Sequence, residues 1–150
     1  MPRTEHMKRS IPGISILLLA TMLCPAQQSK IVIRLLNGKN GHPISDASVN
    51  VWLGNDISAW QMIPDAKDEI AVDLADVEPR MIRVAPNMRL DCRSSNGHSP
   101  FGDEIPYSLD EILSKGIVGG NVCGKATASP TPGVLILFFR PMRFYERWLL

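Results

Sequence analysis

Apolar and polar residues alternate with a period of two in several short stretches of this chain. "KIVIRLL" (30–36) sets Ile31, Ile33 and Leu35 on one face and Val32, Arg34 and Leu36 on the other, the periodicity of a β-strand. "ASVNVWL" directs Val49, Val51 and Leu53 inward and Asn50 and Trp52 outward. "EIAVDL" repeats the pattern with Ile70, Val72 and Leu74, leaving Asp73 to solvent, and "MIRVA" adds Ile82 and Val84. The run "GVLILFFRP" is apolar at successive positions, which predicts a strand buried on both faces. Pro141 ends it, because proline has no N–H for the ladder. Between the first two strands, "NGKNGHPIS" supplies Gly38 and Gly41 for positive φ and Pro43 to set the exit.

One segment follows a different period. "YSLDEILSKG" places Ser108 as an N-cap with Glu111 at the capping-box spacing. Leu109, Ile112 and Leu113 share one face, and Gly116 is positioned to end the helix. The spacing predicts a short helix over 109–115 that plugs one end of a sheet core. "ASPTPG" is an internal loop, since one strand and a tail follow it, and there is no internal repeat. Short strands, little helix and no βαβ rhythm predict an all-β fold, a single antiparallel Greek-key β-sandwich of about seven strands.

The first residues carry a separate signal. Arg3, Lys8 and Arg9 precede the apolar run "ISILLLATML" (14–23), and small residues follow in "CPAQQ". This reads as a signal peptide over residues 1–26, cleaved after Ala26, with an uncleaved anchor or a lipid on Cys24 as alternatives. A membrane span needs about 20 apolar residues, and Pro12, Gly13 and Pro25 leave the run shorter. Residues 27–150 suffice for one domain, exported to the periplasm or beyond.

The whole chain has a formal charge of +1, and the leader removes more base than acid. A near-neutral domain lacks the basic footprint of a nucleic-acid binder. Its charge is uneven: residues 56–78 are rich in acids with Lys67 alone opposing them, whereas Arg80, Arg83, Arg89 and Arg93 follow with only Asp91 among them. Strand edges and loops of opposite sign lying near each other account for this most simply; a patch for a charged partner is the sharper reading.

Cys92 and Cys123 remain beyond the leader, and an even pair in an exported chain predicts a disulfide. Closing a loop of about 30 residues is worth about 3–4 kcal/mol. The loop encloses "SSNGHSPFGDEIP", which has little means of holding itself in place. Zinc-type or redox-type cysteine spacing is absent.

The pattern NG-x-x-G-x-PI-x-x-A-x-V-x-V, present as Asn37, Gly38, Gly41, Pro43, Ile44, Ala47, Val49 and Val51, resembles the start of carboxypeptidase-regulatory-like domains. These are small seven-stranded sandwiches of the prealbumin (transthyretin) type, related to the B-type repeats of collagen adhesins. The likeness is specific over residues 30–55 and diffuse to residue 86; the remainder resembles the tail of small exported bacterial proteins. It implies a first strand running into a G-x-P turn and a second strand exposing alternate residues. It also implies ligand binding or structural support as the usual work; the reading taken here is a non-enzymatic module in the bacterial cell envelope, and no cofactor is implied.

Related chemistry finds few residues here. An adhesin-type isopeptide has Lys30 at the first strand but no Asn or Asp in "VLILFFRP". Hydroxyisourate hydrolases end in Tyr-Arg-Gly-Ser, whereas this chain ends "YERWLL". Tyr107, Tyr145, His42 and His98 match an intradiol dioxygenase in number but not in arrangement. His42 in a turn and His98 in a polar loop read as solvated, and the acids near Asp65 lack a calcium-loop order. A small hydrolase or metal-dependent enzyme on the same sandwich is the alternative function.

The aromatic residues are the candidate ligand or partner contacts: Trp52, Trp60, Phe144 and Trp148. Trp52 faces outward, toward either a platform for carbohydrate or peptide or the underside of a neighbouring loop. In "RPMRFYERWLL", Phe144 and Trp148 share a helical face at i, i+4 among Arg140, Arg143 and Arg147. That tail either docks on the sandwich or meets a membrane surface or partner. The partner expected is an envelope protein or a carbohydrate.

Overall fold

The computed structural model describes residues 30–74, 77–78, 80–87, 89–93 and 105–142. The leader, His98 and its loop, and Phe144 and Trp148 of the tail lie outside the described residues.

Among these, nine strands and one helix form. They are β1 (Lys30–Asn37), β2 (Val49–Leu53), β3 (Trp60–Met62), β4 (Glu69–Asp73), β5 (Met81–Pro86), β6 (Arg89–Asp91), β7 (Pro106–Ser108), α1 (Leu109–Lys115), β8 (Ile117–Val118) and β9 (Val134–Pro141). One sheet runs β4-β1-β9-β6, with β8 also on β9; the other runs β3-β2-β5-β7. No described helix is long and apolar enough to cross a membrane.

The predicted strand faces hold. Ile31, Ile33 and Leu35 of β1 meet Leu135, Leu137 and Phe139 of β9 in one buried cluster with Val49, Val51, Ile70, Val72, Ile82 and Val84. The two sheets form a mostly antiparallel, all-β sandwich, as expected, but the pairings onto β9 from β1 and β8 depart from the antiparallel expectation. β1 pairs with β9 in parallel, Ile33 opposite Leu135 and Leu35 opposite Leu137, and β8 also runs parallel to β9. Alternation of period two reports which face is buried and is the same for either strand direction. β1 and β9 are separated by most of the domain, so no hairpin sets their direction.

β9 is buried along both faces, as its composition predicts: Val134 through Phe139 are all buried. Its outer residues Val134, Ile136 and Phe138 form a second cluster with Cys92, against which Val118, Cys123, Ala126 and Ala128 pack. The irregular segment 119–128 thus does for the outer face what the second sheet does for the inner one.

Helix α1 starts where expected. The Ser108 hydroxyl accepts from the Glu111 N–H at 3.3 Å, while the Glu111 carboxylate turns to Lys115 Nζ at 2.8 Å in an exposed i, i+4 pair. Leu109 and Ile112 are fully buried in the inter-sheet core. Gly116 closes the helix at φ +77°, its N–H donating to the Ile112 carbonyl.

If both faces of β9 are core, truncating either costs alike. Phe138→Ala on the outer face and Leu137→Ala on the inner face are each expected to lose about 3–4 kcal/mol in urea unfolding. A loss below about 1 kcal/mol for Phe138→Ala would show that the outer segment does not pack as core.

Candidate recognition surface

Segment 119–128 has almost no ladder of its own, so other contacts hold it in place. Cys92 and Cys123 are joined, their Cα atoms 5.3 Å apart and 31 residues apart in sequence, as the cysteine count predicts. Cys92 N–H donates to the Phe138 carbonyl, and Val122 N–H to that of Cys92. Asn121 staples the segment to the first turn: its amide donates to the carbonyls of Gly38 at 2.7 Å and Ala126 at 2.8 Å, and its Oδ1 accepts from Cys123 N–H at 3.1 Å.

This contact revises the role of Gly38. Gly41 has the expected positive φ, +75°, but Gly38 is not in that region. A Cβ at Gly38 would lie 2.6 Å from Asn121 Oδ1 and 2.9 Å from both Cys123 Cβ and Cys92 Sγ. The glycine is needed so that the turn can touch the disulfide.

Between segment and sheet lies a shallow pocket of about 280 Å³, bordered by Val118, Asn121, Lys125, Thr127 and Phe138. Its floor is closed, since Phe138 is 1% exposed, and the Asn121 amide is already committed. The pocket's volume lies at the lower end of the range of ligand pockets, and Lys125 and Thr127 stand exposed at its rim.

A buried ion pair, not legible in the sequence, joins the two sheets. Arg93, just past β6, donates from Nε to Asp91 Oδ2 at 2.6 Å, from Nη2 to the Val84 carbonyl of β5 at 2.7 Å and from Nη1 to the Tyr107 hydroxyl of β7 at 3.2 Å. The Arg93 and Asp91 side chains are 3% and 4% exposed, and the guanidinium also lies 5.6 Å from the Tyr107 ring centre. Burial opposes the charge on Arg93, yet the Asp91 hydrogen bond and charge outweigh it and raise the pKa. Burial likewise raises the Tyr107 phenol, against the pull of Arg93. Its neutral form therefore contributes stability below its ordinary titration range, lost as the pH rises through the raised value.

The two described tryptophans are separated. The register sets Trp60 opposite Val51, the neighbour of Trp52, so the two indoles leave opposite faces of the sheet. Trp52 is half-buried beneath Arg83, whose guanidinium carbon is 5.6 Å above the ring. Arg83 in turn donates to the Asp56 carbonyl at 2.8 Å. Trp60 stays 57% exposed on β3, the end strand of its sheet, between Ile57 at 98% and Ile63 at 67%. Met62, two residues on, packs against the core. The exposed apolar side chains of this stretch are those of the edge, not of a paired platform. Their signal in the sequence was three large apolar residues outside the alternation of any long strand.

His42 is exposed in the β1–β2 turn, its N–H donating to Asn40 Oδ1 at 3.1 Å. Among the described residues no three His, Cys, Asp or Glu side chains gather as a metal-ligand set. No protein-family model, curated protein or solved structure matches the chain.

Asp91→Asn leaves Arg93 buried without its counter-charge and is expected to cost about 3–5 kcal/mol in urea unfolding, against about 1 kcal/mol for Tyr107→Phe. Equal small losses would show that the pair is solvated.

Gly38→Ala is expected to lose about 1–3 kcal/mol through overpacking and to speed reduction of Cys92–Cys123 by dithiothreitol. A wild-type reduction rate would separate the turn from the disulfide.

Proposed function

We propose that the chain is an exported, single-domain module of the carboxypeptidase-regulatory-like type that works by binding or structural support in a bacterial cell envelope, without catalysing a reaction. The observation that carries this reading is the exposed apolar edge of Ile57, Trp60 and Ile63 on a sandwich whose remaining large side chains are mostly covered. Three large apolar side chains left exposed within seven residues support a contact role for this stretch, as exposed apolar patches mark interaction sites. Export is supported by the disulfide, since such bonds persist in oxidising compartments.

The fold assignment has its own support. β1 runs into the turn at Gly41 and Pro43, and β2 then half-exposes Asn50 and Trp52, as the resemblance implies. β4 returns to lie beside β1, and a return of this kind supports the Greek-key reading. The two sheet paths carry four strands each, with β8 aside, near the seven of the prealbumin type.

The edge and the outer face make different demands on a partner, and mutation separates them. Protein purified from the exported fraction is applied to a glycan array and to immobilised envelope proteins. Trp60→Ala is expected to weaken retention at least tenfold, the size of an exposed aromatic anchor. Trp52→Ala, beneath Arg83, is expected to change it less than threefold. Wild-type retention by Trp60→Ala would remove the edge as the recognition surface; loss in Trp52→Ala alone would move recognition to the outer face.

A further inference from the structure

β3 is paired with β2 on one side, and no described strand pairs on the other, so one row of its N–H and C=O groups faces away from the sheet. Edges of this kind accept an added strand unless they are shielded. The shielding here is partial: β3 has three residues and Pro64 follows one residue later. That limits an added strand to a short pairing and blocks open-ended stacking. The exposed apolar side chain on β3 is Trp60, Ile63 is exposed just past the strand, and the flanks are acidic in sequence.

The charges decide the occupant. Asp56 precedes β3, and Asp65 and Asp68 follow it; none of these carboxylates forms an ion pair among the described residues. Asp65 accepts the N–H groups of Lys67 and Glu69 at 2.8 and 3.1 Å, hydrogen bonds that hold its pKa below the ordinary carboxylate value. The cations nearby are Lys67 and Arg83, the latter over Trp52 and donating to the Asp56 carbonyl. Glu69 is taken by Arg34 at 2.5 Å. A second copy is a poor occupant: antiparallel β3–β3 pairing about a twofold axis sets the Asp56 end of one copy against the Asp65 end of the other, acid facing acid.

We infer that β3 is a strand-addition site for a short extended segment of a partner protein in which basic and apolar residues alternate. Main-chain bonds to the open side of β3 supply register, apolar side chains meet Trp60, and basic side chains reach Asp65 and Asp68. This rests on the reading of the Trp60 edge as the recognition surface and adds the mode and the partner's chemistry.

The test uses oxidised protein and three capped eight-residue peptides: alternating valine and lysine, the same with glutamate for lysine, and the first with a central proline. Binding is followed by tryptophan fluorescence and by amide shifts and hydrogen exchange at residues 60–63. The lysine peptide is expected to bind at least tenfold tighter than either other peptide, to slow exchange within β3, and to lose at least tenfold in affinity to Trp60→Lys. Gln61→Pro, which removes a β3 donor, is expected to abolish binding.

Equal binding of the proline peptide would overturn strand addition while leaving the edge as a recognition surface. Equal binding of the glutamate peptide would overturn the charge assignment, and concentration-dependent dimers joined through residues 60–63 would make a second copy the occupant. No binding by any peptide, with Trp60→Ala still abolishing retention on envelope components, would overturn this inference alone; intact retention would overturn both.

Discussion

Burial of β9 on both faces is the constraint around which the fold is arranged. Its inner side is covered by the second sheet in the ordinary manner of a sandwich, but Val134, Ile136 and Phe138 on the outer side also leave water. At about 1.5–3 kcal/mol per large apolar side chain, that outer row is comparable to much of a domain's net stability. Something must therefore cover it, and what covers it is a segment with glycine, alanine and little backbone pairing. Such a segment does not order itself; ordering costs about 1–2 kcal/mol per residue. The disulfide at Cys92–Cys123, the Asn121 staple and the close seat of Gly38 are the means by which it is held.

The same logic explains why the first turn and the cysteines are linked. Gly38 stands in the first turn, Asn121 and Cys123 lie far along the chain, and all three meet over the end of β9, where Gly38 N–H also donates to the Phe139 carbonyl. The parallel pairing of β1 with β9 brings them there, because it carries both strands to the same end of the sheet. On the other flank, Arg93 reaches from the β6 side to Val84 and Tyr107 of the second sheet. A buried ion pair of this sort adds little net stability over an apolar replacement. Its hydrogen bonds to the opposite sheet do, however, distinguish one alignment of the two layers from others.

Firmly covered surface on one layer contrasts with open surface on the other. The β4-β1-β9-β6 sheet has its centre sealed by the segment and its disulfide, whereas the β3-β2-β5-β7 sheet ends in a short strand with Trp60 uncovered. Such an edge fits the recognition role proposed for it, since a rigid scaffold keeps exposed groups in position without burying them. Trp52 illustrates the opposite case: it points away from the core and yet is capped by Arg83 from the adjacent strand.

Much of the architecture was legible in the residues alone. The inward faces of β1, β2, β4 and β5, the double burial of β9, the helix with its Ser108 cap, and the Cys92–Cys123 pair all follow from local periodicity, capping chemistry and cysteine count, which are properties of neighbours in the chain. Strand direction in β1–β9, the contact role of Gly38, the Arg93–Asp91–Tyr107 cluster and the separation of Trp52 from Trp60 were not legible. Each depends on residues distant in sequence being brought together. Alternation states that a side chain points in or out, but not which strand stands opposite or whether another side chain caps it. The edge was decided in the same way: among the described strands β3 has a neighbour on one side only, and that is a fact of sheet order, on which the local pattern of apolar and polar residues is silent.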